Sequence, residues 1–155
     1  MEPRLNYFKV APNLMQSVLA LNKEVDSSGL DKRLLHLVKL RASQINGCSY
    51  CVNLHSREAR QDGETEQRVH LVAAWRESPV FTARERAALA WTEKLTRLAD
   101  GPIEDEDFEH VRQHFDDAEL VKLTVAIGLI NTWNRLAVPF RTVHPVVPDD
   151  RSSPK

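Results

Sequence analysis

The placement of proline and glycine constrains this chain more than any other feature. Glycine occurs only five times in 155 residues. Proline lies mostly at the ends, with Pro3 and Pro12 opening the chain and Pro139, Pro145, Pro148 and Pro154 closing it. Between them, apolar residues recur at helical spacing, and neither strand-like alternation nor a short repeat is visible, so the expected class is all-α. Leu14, Val18, Leu21 and Val25 mark a first amphipathic helix, ended by Ser27-Ser28-Gly29. Asp31 is placed to cap a second through Leu34, Leu37, Val38 and Ile45, broken by Asn46-Gly47. A third runs from about Cys48 to Gln61, stopped by Asp62-Gly63, and a fourth from Thr65 to Arg76 with Val69, Val72 and Ala73 inward. Thr82-Ala83-Arg84-Glu85 has capping-box spacing ahead of the stripe Ala88, Trp91, Leu95 and Leu98. A short acidic-fronted helix is expected over Glu104 to Phe115, and Asp116 or Asp117 starts the last. That helix is apolar on nearly every side from Leu120 to Ile130, which predicts that it is central or partly covered by another subunit. The expected organisation is one domain over 1–155, with its core at about 12–138. Residues 139–155 form a proline-rich tail, disordered or laid on a neighbouring subunit.

Composition narrows the function by exclusion. The formal net charge is −1, which gives no support for nucleic acid or an anionic membrane as partner. No run approaches the roughly 18 apolar residues of a membrane span. Met1-Glu2-Pro3-Arg4 lacks the apolar core of a secretory signal, so a cytoplasmic location is expected. No G-x-G-x-x-G motif is present to suggest a bound dinucleotide, and no cofactor is expected.

Chemistry concentrates in Cys48-Ser49-Tyr50-Cys51-Val52-Asn53-Leu54-His55, which holds the only two cysteines. On a helix, Cys51 and His55 share a face with Cys48 just above them. In a reducing compartment, C-x-x-C indicates redox or metal chemistry more often than a structural staple. The break at Asn46-Gly47 places Cys48 at a helix N-terminus, where the dipole favours a thiolate. His55 is positioned to accept the Cys51 proton, and either cysteine, once oxidised to a sulfenic acid, has the other at hand to condense with it. Other readings of the same residues are a zinc site completed by His36, buried cysteines with a hydrogen-bonded core histidine, or a redox sensor without turnover. The zinc reading lacks a fourth cysteine, and no metal is expected.

The flanking residues extend the pattern. Ser43 to His55, Gly63-Glu64, Ala74 to Pro79, Thr82 to Trp91 and Ile130 to Leu136 together resemble the alkylhydroperoxidase D-like (AhpD-like) proteins of the carboxymuconolactone decarboxylase superfamily, over about residues 30 to 137. The resemblance implies a compact fold of about six to eight helices, assembled as a homo-oligomer (trimer or hexamer), that reduces organic hydroperoxides. It implies that Cys51 attacks the peroxide, that Cys48 resolves the sulfenic acid, and that His55 belongs to a proton relay. The electron donor it implies is a lipoyl- or thioredoxin-type thiol.

Two relay positions depart from that pattern. Twelve residues before Cys48, where the family has glutamate, stands His36, which can relay protons but supplies no fixed negative charge. Between the cysteines stands Tyr50, suited to packing with a useful hydroxyl rather than to base catalysis, since a phenol titrates near ~10. Tyr50 and Gln44 complete the candidate relay or pocket residues. Trp75, Trp91 and Trp133 read as core or interface anchors, and His70, His110, His114 and His144 as solvent-facing. Arg135, on an otherwise apolar helix, needs a partner if buried, for which an intersubunit contact is expected. Two alternatives to peroxide reduction remain at the level of sequence: a redox-sensing module using the same disulfide, and a lactone decarboxylase with no need of a dithiol.

Overall fold

A computed structural model describes residues 1–146; the expected tail from residue 139 is described only up to Val146, and its remainder lies outside the described residues. Among the described residues eight α-helices follow one another: α1 (Tyr7–Val10), α2 (Pro12–Asp26), α3 (Lys32–Ile45), α4 (Ser49–Gln61), α5 (Glu66–Leu71), α6 (Ala83–Thr96), α7 (Asp105–Arg112) and α8 (Asp117–Ala137). No strand occurs among the described residues.

The caps explain the boundaries. The Asp31 carboxylate accepts from Leu34 N at 2.9 Å to start α3. The Thr82–Glu85 box starts α6, and Asp116 with Glu119 forms a second box at α8. Gly47 ends the α3 turn at φ 65°, a left-handed conformation open to glycine without steric cost. The expected helix over Thr65 to Arg76 instead stops at Leu71 and continues as a 3₁₀ segment, Val72–Glu77, with a non-helical break at Ala74. Beyond the break Trp75 turns inward, and its indole N–H donates to Glu93 at 2.8 Å; Ala73 is exposed.

α3, not α8, is the central helix. All seven residues from Leu34 to Leu40 are buried, and α3 packs against α4, α6 and α8. One cluster joins Leu34, Leu35 and Val38 to Ala88 and Trp91 of α6 and to Leu123 and Ile127 of α8. A second joins Leu37 and Leu40 to Ala59, Val72, Trp75 and Leu89. α8 instead buries one face and leaves Val121 (63% exposed) and Val125 uncovered within the protomer.

The first amphipathic stripe is rotated from its expected position. α2 turns Met15 and Val25 inward, with Val18 packed behind them, while Leu14 and Leu21 are exposed. Arg135 is exposed as well and needs no partner subunit, because its guanidinium donates to Asn131 Oδ1 at 2.8 Å one turn back. The start of the tail lies on this chain's own N-terminus. Arg4 N donates to Phe140 O at 3.0 Å, and the Tyr7 and Phe140 rings sit 5.9 Å apart.

Candidate active site

The α3–α4 corner is fastened to α8 by amides. Asn46 Nδ2 donates to Asn131 Oδ1 at 2.9 Å and to Asn134 Oδ1 at 2.8 Å. Asn134, itself 1% exposed, donates to Ser43 Oγ at 3.1 Å, and Ser43 donates to Lys39 O at 2.7 Å. A buried amide is costly unless its donors and acceptors are met, so this ladder fixes the corner rigidly. Immediately after it, Cys48 is the N-cap of α4, with Cys51 N–H directed at its sulfur at 3.3 Å. The two cysteines are joined as a disulfide with Cα atoms 5.3 Å apart.

Cys51 opens onto a cavity of about 460 Å³; Cys48 is buried behind it and does not line the space. α4 contributes Tyr50, Cys51, Leu54 and His55, and α3 contributes Leu35, His36 and Lys39. The outer wall is aromatic, with Tyr7 and Phe8 of α1 facing Trp133 of α8. Phe8 and Trp133 stack at 6.2 Å. Trp133 is therefore a cavity wall, whereas Trp75 and Trp91 are core residues, as expected.

Three buried bases face this space, each with a carboxylate. His55 Nδ1 lies 2.8 Å from Glu58 Oε2, His36 Nε2 lies 2.8 Å from Asp62 Oδ2, and Lys39 Nζ lies 2.6 Å from Asp26 Oδ1. Burial pushes the His55 imidazole below its ordinary pKa, against the upward pull of Glu58. The hydrogen bond from His55 holds Glu58 below the usual carboxylate range, and that from His36 does the same for Asp62. A neutral His55 whose Nδ1–H donates to an ionised Glu58 leaves Nε2 as acceptor, free to serve as a base. The tautomer follows from the carboxylate, which can only accept.

The missing fixed negative charge at His36 is thus supplied from another helix. Glu58 stands one turn after His55, and Asp62 pairs with His36 across the α3–α4 contact. The spacing His55-x-x-Glu58 was the available sequence signal for the first. The second joins residues 26 apart and had none. Gln44 is not at the cavity; its Oε1 accepts from Arg41 at 3.4 Å, on the side of α3 where Arg41 also pairs with Glu93. Tyr50 lines the cavity and packs beside the cysteines. His70 and His110 are exposed, while His114 and His144 are half-buried. Among the described residues no group of three or more His, Cys, Asp or Glu is arranged to hold a metal ion.

An all-helical fold that presents one cysteine of a C-x-x-C pair to a cavity beside a carboxylate-held histidine defines a class of dithiol proteins. Residues 12–94 match the carboxymuconolactone decarboxylase family, and the chain belongs to that family, in its AhpD-like branch. It is 36% identical over 138 residues to the uncharacterized protein YdfG of Bacillus subtilis, covering 89% of this chain and 94% of that one. A crystal structure from Agrobacterium tumefaciens, of a protein of unknown function provisionally called antioxidant defence protein AhpD, superposes with a TM-score of 0.92. The identity there is 53%, over 94% of this chain and all of that one. An uncharacterized peroxidase-related protein from a Silicibacter species aligns at TM-score 0.75 with 27% identity, covering 83% of this chain and 68% of that one.

Proposed function

We propose that this protein reduces organic hydroperoxides through a Cys51–Cys48 dithiol/disulfide cycle. The observation that carries the reading is the asymmetry of the pair. Cys51 faces a cavity large enough for a small organic molecule, with His55 one turn away, while Cys48 waits behind it with no access of its own. In the first step His55 Nε2 takes the Cys51 proton, and the imidazolium is stabilised by Glu58. The thiolate attacks the terminal oxygen of ROOH. An S–O bond forms, the O–O bond breaks with its electron pair on the proximal oxygen, and the proton from His55 completes ROH. Sulfur is oxidised by two electrons to a sulfenic acid. The Cys48 sulfur then displaces hydroxide from it, giving the disulfide and water. A lipoyl- or thioredoxin-type dithiol returns two electrons and two protons by thiol–disulfide exchange. His36 with Asp62 is proposed as the outer stage of the proton path, since Asp62 reaches solvent.

A homo-oligomer, trimer or hexamer, is part of the proposal. It is supported by the exposed apolar residues Leu14 and Leu21 on α2 and Val121 and Val125 on α8, and is read by sedimentation. A cytoplasmic location fits the need for a thiol reductant. No described helix is long and apolar enough to cross a membrane.

Intact-mass analysis of reduced protein after one equivalent of hydroperoxide tests the chemistry. The expected products are a Cys48–Cys51 disulfide in the wild type and a trapped sulfenic acid on Cys51 in Cys48→Ser. No oxidation is expected in Cys51→Ser. Oxidation no faster than that of a free thiol would overturn the reading and leave a redox-sensing disulfide in its place.

A further inference from the structure

Lys39 is the least expected side chain in this cavity. It lies in the middle of the central helix, 7% exposed, among Leu37, Val38 and Leu40. Burying an ammonium is costly, and a partner only partly offsets the cost. Its one partner among the described residues is Asp26 Oδ1, at 2.6 Å, and that carboxylate is itself half in solvent. Among the described residues the other two ammonium N–H groups have no protein acceptor, while the residue lines the same cavity as Cys51 and His55. The ammonium is held in place by side chains that line the same cavity. Trp133 Nε1 donates to Asn22 Oδ1 at 3.2 Å, Asn22 Nδ2 donates to Asp26 Oδ2 at 2.7 Å, and Asp26 accepts from Lys39. A chain through α8, α2 and α3 thus fixes one cation at the wall and leaves its remaining donors for whatever enters. The positive charge is felt at the reacting centre, since it opposes protonation of His55 and favours ionised Glu58.

We propose that Lys39 is a catalytic residue of the hydroperoxide reduction, its free N–H groups binding the proximal oxygen and stabilising the alkoxide that develops there. The inference rests on the peroxidase reading above. When the O–O bond breaks, both electrons move to the proximal oxygen. Attack by a thiolate leaves that oxygen with a full negative charge until the proton held by His55 reaches it. A donor held in place where negative charge develops is among the most effective electrostatic devices an enzyme has. Asp26, Asn22 and Trp133 act through Lys39 and are positioning residues.

The experiment compares reduced wild type, Lys39→Met, Lys39→Gln and Lys39→Arg by stopped-flow oxidation with two oxidants. tert-Butyl hydroperoxide expels an alkoxide, whereas peracetic acid expels a carboxylate that needs little help. The rate of Cys51 alkylation by iodoacetamide, measured in each variant, normalises for the amount of thiolate. Met is close to Lys in shape, and the Asp26 left behind is solvated, so folding is expected to survive; the Gln variant is the second reading if Met disturbs packing. The expected result is a loss of about 10²-fold, the typical cost of one such donor, with tert-butyl hydroperoxide, a much smaller loss with peracetic acid, and partial recovery in Arg. Equal losses with both oxidants after normalisation, or none in Met and Gln, would overturn the role of Lys39 while leaving the peroxidase intact. A wild type inert to both oxidants would overturn the peroxidase reading itself, and with it the inference.

Discussion

Replacing Glu58 by Gln isolates the electrostatic half of the proposed base. In the proposed mechanism His55 becomes an imidazolium when it accepts the Cys51 proton, and Glu58, 2.8 Å from its Nδ1, then holds it. A hydrogen bond to a charged partner contributes ~1.5–3 kcal/mol. The Glu58 side chain is 39% exposed, however, and solvent screening lowers the differential effect to about 1 kcal/mol. On the rate of Cys51 oxidation this is about a five-fold loss. The sign of the pH effect is equally specific. Burial lowers the His55 pKa while Glu58 raises it, so removing the charge moves the acid limb of the rate profile to lower pH as the plateau falls. The assay is single-turnover oxidation of reduced protein followed from pH 4.5 to 8, with Glu58→Asp as the conservative control. A glutamine variant that keeps the wild-type rate, or whose acid limb stays in place, would refute the assignment of Glu58 as the partner of a catalytic base.

Two further outcomes follow from the geometry. Because His55 is held below its ordinary pKa, the unfolded chain binds a proton that the native state refuses, so stability should fall as pH drops below about 6.5 toward the folded value. Glu93 is held low by Trp75, Arg76 and Arg41 against the opposing pull of burial, so a second decline should set in below about 4.5. Urea midpoints across that range should show both, and His55→Asn should flatten the first while keeping the second; an unchanged slope above pH 5 would count against the His55 account. Asn134→Ala removes both bonds of a buried amide and should cost about 2 kcal/mol, a drop in Tm of about 4–8 °C for a chain of this size. It should also slow disulfide closure, because the corner that carries Cys48 keeps only the Asn46–Asn131 bond to α8. A variant with unaltered Tm and closure rate would show that Asn46 and Asn131 suffice.

Local chemistry was legible because it depends on residues close in sequence. Asp31, Thr82 with Glu85, and Asp116 start helices where the Asp31, Thr82 and Asp116 side chains accept from backbone N–H groups three residues on, a contact needing no tertiary information. The face shared by Cys51 and His55 follows from helical geometry alone, and Glu58 could have been added to it by the same rule.

Which face of each helix is buried is decided by its neighbours. α2 packs beside α8 and buries Met15 rather than Leu14, and apolar residues on both sides of a helix do not distinguish the two in sequence. α3 looks too polar to be central, with Lys32, Arg33, His36, Lys39 and Arg41 along it; α8 looks more buried than it is. Polar groups can enter a core when distant residues satisfy them. Asp26 accepts from Lys39, Asp62 accepts from one ring nitrogen of His36, and Glu93 pairs with Arg41. Those pairings join residues 13, 26 and 52 positions apart, beyond the reach of helical spacing. The sequence alone therefore determined the all-helical class, several helix starts and the helical face shared by Cys51 and His55, while only the tertiary fold decided where some helices end and which charges face the cavity, because burial of a charge depends on a partner that spacing along the chain does not reveal.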